Sequence, residues 1–231
     1  RMNTHYQQAF VGLEVTTCPD PGQIGAYLRE VRPDIFFGVP RVWEKMYAGV
    51  NALLTADPAQ AEAFAEALAV AGPVNEALDW GRASSEQEAT RAGLEAVFAP
   101  VRELLGLDRC QVAVSGAAPL APDVLRWFRA IGVALAEVYG MSENTGPMTY
   151  APRQVKVGTV GTAMPGTEVR LADDGEVLCR GGHVFAGYLD DPAKTAETVV
   201  DGWLHSGDLG ELDDDGYLRI VDRKKELIIN S

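Results

Sequence analysis

CQVAVSGAAPLAPDVLRWFRAIGVALAEVYGMSENTG, residues 110–146, carries the pattern that decides the fold. Cys110–Val114 alternates in the manner of a short strand. Ser115-Gly116-Ala117-Ala118-Pro119-Leu120 interrupts it with small residues and a proline. Val124, Leu125, Trp127, Phe128 and Ile131 then recur at the three- and four-residue spacing of a helix with one buried side. Val133–Val138 is a second apolar run of strand length. Strand, small-residue loop, helix, strand is the repeating unit of a parallel sheet. Ligands of such sheets lie at the carboxyl ends of the strands. Two stretches occupy that place here: Ser115–Ala118 and Tyr139-Gly140-Met141-Ser142-Glu143.

Upstream, Asp20-Pro21 precedes apolar positions 24, 27, 28 and 31, which predicts a capped helix. Pro33–Pro40 reads as a short buried strand between breakers, and Pro40–Tyr47 as a new helix with proline in its first turn. Residues 55–106 are rich in Ala and Glu. Asp57-Pro58 is a cap with a first-turn proline, and Leu104-Leu105-Gly106 a helix end. This stretch predicts a helical insert without chemistry. Beyond about residue 155 the character changes. Asp174-Gly175 separates Glu168–Leu171 from Glu176–Cys179, and Asp215-Gly216 separates Gly210–Leu212 from Tyr217–Val221. Asp-Gly between alternating segments predicts hairpins, and Asp191-Pro192 predicts one short helix. The expected fold is α/β. A mainly parallel sheet flanked by helices spans 1–154, with the insert at about 55–106. A small antiparallel, barrel-like β subdomain spans 155–221, and 222–231 leads out of it.

Of the 231 residues, 47% are hydrophobic and 23% charged, as a globular core requires. A net charge of −13 argues against nucleic acid as a partner, because phosphate backbones recruit basic surfaces. Cys18, Cys110 and Cys179 are far apart and form no CxxC or Cys/His cluster, so neither zinc nor a disulfide framework is indicated. Reduced, structural thiols in a cytoplasmic protein are expected. No stretch approaches the ~18 apolar residues of a membrane span, and no signal peptide stands out. Arg1-Met2-Asn3-Thr4 and Leu227-Ile228-Ile229-Asn230-Ser231 both read as cut ends, so a piece of a longer chain is expected.

Four stretches have the residue types for chemistry. The tiny side chains of Gly116, Ala117 and Ala118 let a flat ring approach the backbone; the same loop serves equally as a tight strand-to-helix turn. Tyr139 offers an aromatic face, Gly140 a sharp turn, Ser142 a hydroxyl and Glu143 a hard carboxylate suited to Mg²⁺. A helix start capped by Ser142 is the alternative. Asp208, in Trp203-Leu204-His205-Ser206-Gly207-Asp208, has two acceptor oxygens for the two hydroxyls of a ribose, or is an ordinary turn aspartate. Asp222-Arg223-Lys224-Lys225 is a surface charge run or supplies Arg223 to a ribose or phosphate. His5, His183 and His205 show no triad or metal spacing, and His183 and His205 read as structural.

In this order the stretches resemble the adenylate-forming superfamily of acyl-CoA synthetases, luciferases and peptide-synthetase adenylation domains. Ser115–Leu120 is similar to its adenine loop, and Tyr139–Glu143 to its Tyr-Gly-x-Thr-Glu. Gly158-Thr159-Val160-Gly161, Pro165-Gly166, Gly187-Tyr188, Gly202–Asp208 and Asp222–Lys225 match in turn. The resemblance implies that a carboxylate attacks the α-phosphate of ATP to give an acyl-adenylate and pyrophosphate, after which the thiol of coenzyme A takes the acyl group. It further implies that Gly116, Ala117 and Ala118 line adenine, Tyr139 stacks on it, and Ser142 stands near the α-phosphate. Glu143 would hold Mg²⁺, Asp208 the ribose hydroxyls, Arg223 ribose or phosphate, and Lys225 the hinge to a C-terminal domain. Pro40-Arg41-Val42-Trp43-Glu44-Lys45 and the helical insert resemble long-chain fatty-acid–CoA ligases, which implies a fatty acid substrate and allows peripheral membrane contact.

Two departures accompany the match. The Ser/Thr/Gly-rich phosphate loop of the superfamily does not occur in the 231 residues, nor does the C-terminal domain with its catalytic lysine. Residues 1–231 alone are therefore expected to be inactive. An acyl-AMP ligase, an amino-acid adenylation domain and a non-catalytic nucleotide-binding relative stand as alternatives to the fatty-acid–CoA ligase.

Overall fold

Polar caps and prolines set the helix starts. In the computed structural model, which describes residues 7–224, α1 (Gln7–Val11), α2 (Ile24–Val31), β1 (Ile35–Gly38), α3 (Pro40–Leu54), α4 (Pro58–Asp79), α5 (Ser85–Leu105), β2 (Val112–Ser115) and α6 (Pro122–Ala130) follow one another. The Asp57 carboxylate accepts the N–H groups of Ala59 and Gln60 at the start of α4. Ser84 and Gln87 form a reciprocal capping box on α5, and Gly106 ends that helix in the left-handed region. β1 and β2 pair in parallel, Ile35 opposite Val112 through Gly38 opposite Ser115.

These elements belong to the first of two compact units, residues 7–136 with 152–157. Its core is aromatic. Trp43 is fully buried, edge-on to Phe36 at 5.1 Å and to Phe128 at 5.0 Å. Its indole N–H donates to the Gly38 carbonyl at 3.2 Å, so burying the ring leaves no donor unpaired. Trp127 and Phe64 extend the cluster to Phe98. The insert helices are tied to α6 by polar contacts: Asn75 donates to the carbonyls of Arg129 and Ala130, and the buried Arg102 donates to Ile131. β1 departs from expectation. It is two-sided, with Phe36 on Trp43 but Ile35 and Phe37 nearly half exposed at 48% and 43%. An apolar run alone does not fix which faces are covered.

The second unit comprises residues 137–151 and 158–224. Within it β3 (Leu135–Met141) runs antiparallel to β4 (Gly146–Tyr150). β3 ends three residues later than the apolar run predicts. Tyr139, Gly140 and Met141 are strand residues because β4 folds back and pairs with them. The rest is an antiparallel five-stranded sheet of β5 (Thr167–Leu171), β6 (Glu176–Gly181), β7 (Val199–Val200), β8 (Trp203–Leu212) and β9 (Leu218–Arg223). Both Asp-Gly pairs fall between paired strands, β5 with β6 and β8 with β9. α7 (Pro192–Thr198) begins where Asp191 accepts the Lys194 N–H. β8 is the long central strand: β6 lies along one edge, while β7 and β9 share the other. Met148, Val177, Cys179, Leu204 and Leu218 form this unit's core. Burial pushes the thiols of Cys110 and Cys179 up to about 11, consistent with unreactive structural cysteines. Among the described residues no helix is long and apolar enough to cross a membrane.

Candidate functional site

The second unit brings together six of the residues singled out from sequence: Tyr139, Gly140, Ser142, Glu143, Asp208 and Arg223. Gly140 is needed for space rather than for a turn. A Cβ there would stand 1.8 Å from the Gly146 carbonyl oxygen, and its backbone angle is not of the left-handed kind. The close approach lets β4 return directly after the single 3₁₀ turn Ser142–Asn144. That turn is held from both sides. The buried Asn144 accepts the Met141 N–H at 2.7 Å. The Glu143 carbonyl accepts the Phe185 N–H at 2.7 Å, and Thr145 donates to the His183 carbonyl at 2.6 Å. Ser142 caps no helix by a side-chain hydrogen bond and is exposed.

Two tyrosine hydroxyls orient two carboxylates. Tyr188 donates to Glu143 Oε1 at 2.8 Å. Its own backbone N–H is fixed on Thr195 Oγ1, and its ring lies edge-on to Phe185. Tyr139 donates to Asp208 Oδ2 at 2.6 Å, and Arg223 Nε stands 3.3 Å from Asp208 Oδ1. β8 and β9 set the latter pair directly opposite each other in register. The Asp208 side chain is 10% exposed and the Arg223 side chain 71%. The Glu143 carboxylate, then burial, raise the Tyr188 phenol above its ordinary value; burial, then Asp208, do the same to Tyr139. Both hydroxyls therefore keep their protons and act as donors at neutral pH.

The turn that presents Asp208 is unusual. Glu176 pairs with Leu209 and Leu178 with His205, so the single residue Val177 faces Ser206, Gly207 and Asp208 across the ladder. Backbone groups in such a bulge need partners outside the ladder. Ser206 Oγ accepts the Asp208 N–H at 3.1 Å. Glu176, whose side chain is 6% exposed, accepts the Gly207 N–H at 2.8 Å, His205 Nδ1–H at 3.0 Å and Lys224 Nζ at 3.0 Å. Burial alone would raise the Glu176 carboxyl; the hydrogen bonds from His205, Lys224 and Gly207 outweigh it and hold it below the usual value. His205 thus has the structural place expected of it. His183 lies among side chains, its ring 3.7 Å from the Cys179 sulfur.

Gly116, Ala117 and Ala118 lie in the first unit, directly after β2. Ser115 and Gly116 are buried, Ala117 and Ala118 exposed. Ala117 has φ of +73°, a left-handed conformation that a Cβ disfavours. Lys225 lies outside the described residues. Tyr188 and Glu176 were not singled out from sequence. Tyr188 belongs to the Gly187-Tyr188 pair, but nothing in its spacing points to Glu143, 45 residues away. Glu176 looks like any strand residue after an Asp-Gly turn.

Two carboxylates, Glu143 in the turn after β3 and Asp208 on β8, are thus each held by a phenol. Residues 7–189 match the family described as AMP-binding enzyme, and the chain belongs to that family. It is 45% identical over its whole length to fadD11 of Mycobacterium tuberculosis, a protein named provisionally as a fatty-acid–CoA ligase. It is 40% identical over 87% of its length to the long-chain-fatty-acid–CoA ligase FadD15 of the same species. It is 39% identical over 88% of its length to the long-chain-fatty-acid–CoA ligase heimdall of Drosophila melanogaster. The chain spans 42%, 33% and 31% of those three proteins.

Proposed function

We propose that the protein to which this chain belongs is an ATP-dependent long-chain fatty-acid–CoA ligase, forming an acyl-adenylate and then the coenzyme A thioester. Membership of the AMP-binding family and the names of the relatives support ligase chemistry. The observation that carries the site assignment is the Tyr139–Asp208–Arg223 cluster. It offers a ribose two carboxylate oxygens already oriented by a phenol and a guanidinium. Asp208 takes the ribose hydroxyls, the Tyr139 ring lies against adenine, and Arg223 supports ribose or phosphate.

Mg²⁺ fits the donors of the turn that follows β3. A magnesium ion on nucleotide phosphates takes one or two protein carboxylates rather than a full protein cage. Glu143 is one half-buried carboxylate beside an exposed Ser142 hydroxyl, and no cluster of three His, Cys, Asp or Glu occurs among the described residues. When bound, the cation would neutralise phosphate charge. Glu143 would hold it, Tyr188 would keep that carboxylate turned outward, and Ser142 would donate to the α-phosphate. Lys225 would serve as the hinge to a C-terminal domain. A cytoplasmic location with peripheral membrane contact suits a long-chain acid, which partitions into lipid.

The test is AMP release by the intact protein. Release with ATP, Mg²⁺ and palmitate, coupled to thioester formation only when coenzyme A is added, is the expected result. Adenylate formed from palmitate without transfer to coenzyme A would indicate an acyl-AMP ligase. Adenylation of an amino acid instead would make it an amino-acid adenylation domain. No AMP with any carboxylate would make it a nucleotide-binding relative. Residues 1–231 by themselves are expected to release none.

A further inference from the structure

Glu176 is the most deeply buried carboxylate of the second unit that the proposed reaction leaves without a task; its side chain is 6% exposed. Removing a carboxylate from water costs several kcal/mol unless it is paired and hydrogen-bonded. Its partners converge on one short segment. Oε1 takes the Gly207 N–H, while Oε2 takes His205 Nδ1–H and Lys224 Nζ. Lys224 is shared with Asp174 at 2.5 Å, across the turn that precedes β6. The Lys224 backbone N–H donates to the Gly207 carbonyl at 2.9 Å. Both faces of Gly207 are therefore clamped, one by Glu176 itself and one by the residue Glu176 grips. Gly207 has φ of +76° and open space where a Cβ would go, so it is held by these bonds rather than by packing.

Asp208 is the next residue. On its β6 edge the ladder offers Ser206–Asp208 no regular partners, because one residue of β6 faces three of β8, although on the other edge Asp208 pairs with Arg223 of β9. The Glu176 carboxylate replaces the missing ladder acceptor. It stands one residue behind the carboxylate assigned to ribose and touches no ligand itself.

We infer that Glu176 is a positioning residue for nucleotide recognition, fixing the Gly207 peptide so that Asp208 presents both oxygens to the ribose hydroxyls. The inference rests on the ribose assignment of Asp208 and needs no step of the ligase reaction. Glu176→Gln keeps the shape and one acceptor oxygen but turns an amide N–H₂ toward the His205 and Lys224 donors. Glu176→Asp keeps the charge but shortens the reach to Gly207.

The experiment is calorimetric binding of ATP and of 2′,3′-dideoxy-ATP to the intact protein and to both variants, with thermal unfolding of the nucleotide-free forms alongside. Wild type should prefer ATP. In Glu176→Gln the preference should fall roughly tenfold, about the worth of one charge-assisted hydrogen bond, while dideoxy-ATP binding stays within about twofold. Glu176→Asp should recover part of the preference. Equal weakening of both nucleotides, or an unchanged preference in a variant that unfolds at lower temperature, would reduce Glu176 to a structural role and overturn the inference. A wild type without preference for the hydroxyls would overturn it at its premise. Because binding is read without fatty acid or coenzyme A, failure of the ligase reading in the AMP assay leaves this result separately interpretable.

Discussion

Tyr139→Phe tests the site most directly, because it removes one oxygen and keeps the ring in the second core. The lost bond is 2.6 Å long and ends on a carboxylate whose side chain is 10% exposed. A hydrogen bond to a charged group contributes about 1.5–3 kcal/mol. The other side-chain partner compensates little: Arg223 is 71% exposed at 3.3 Å, and an ion pair so open to solvent is worth at most about 1 kcal/mol. Tyr139→Phe should therefore cost about 2 kcal/mol of folding stability. In a double-mutant cycle with Asp208→Asn, the two should couple by about 1–2 kcal/mol. Urea denaturation of the four intact proteins, followed by fluorescence and far-UV circular dichroism, measures both numbers. A coupling energy below about 0.5 kcal/mol would refute the reasoning, since the phenol would then orient nothing.

Glu143→Ala in the intact protein should depress adenylation on the order of 100-fold or more while leaving the circular dichroism spectrum unchanged; wild-type Mg²⁺-dependent rates would dismiss the metal role. Gly140→Ala should destabilise by at least about 1–3 kcal/mol, because its methyl would force β4 away from β3, and an unshifted denaturation midpoint would contradict that crowding. Acid should loosen the Asp208 turn through Glu176. Its folded carboxyl lies below the unfolded value of 4.5, so the contribution is present above that value and is lost as pH falls through the lower folded one. Glu176→Gln should accordingly flatten the acid limb of the stability curve, and parallel limbs for variant and wild type would exclude it.

Local pattern carried much of the fold. Asp57, Asp191 and both Asp-Gly pairs act where they stand in sequence, through bonds spanning a few residues, so their effects could be read from it. The stretch 139–143 could be singled out by its residue types alone. What was not legible depends on partners distant in the chain. β3 runs on through Met141 only because β4 pairs back onto it, and Gly140 is required only because Gly146 passes so close. Ile35 and Phe37 are as apolar as Phe36, yet only Phe36 reaches Trp43. Tyr188 and Glu176 have residue types common in any β-rich unit, and their roles emerge only once Glu143 and Gly207 are brought to them.

The separation of these partners bears on when the protein becomes competent during its own synthesis. Tyr139 waits for Asp208, 69 residues on, Glu143 for Tyr188, 45 on, and Glu176 for Lys224, 48 on. Entropy sets little obstacle to joining them, since each doubling of a closed loop costs only about 0.6 kcal/mol. Order of appearance is the stronger constraint. A nascent chain extends at roughly 5–20 residues per second, so β3 leaves the ribosome several seconds before the strand that completes its carboxylate pair. Throughout that interval Tyr139 has neither Asp208 nor Arg223. The first unit can pack its aromatic core meanwhile, and Asp208 has both Tyr139 and Arg223 beside it only after β9 has emerged.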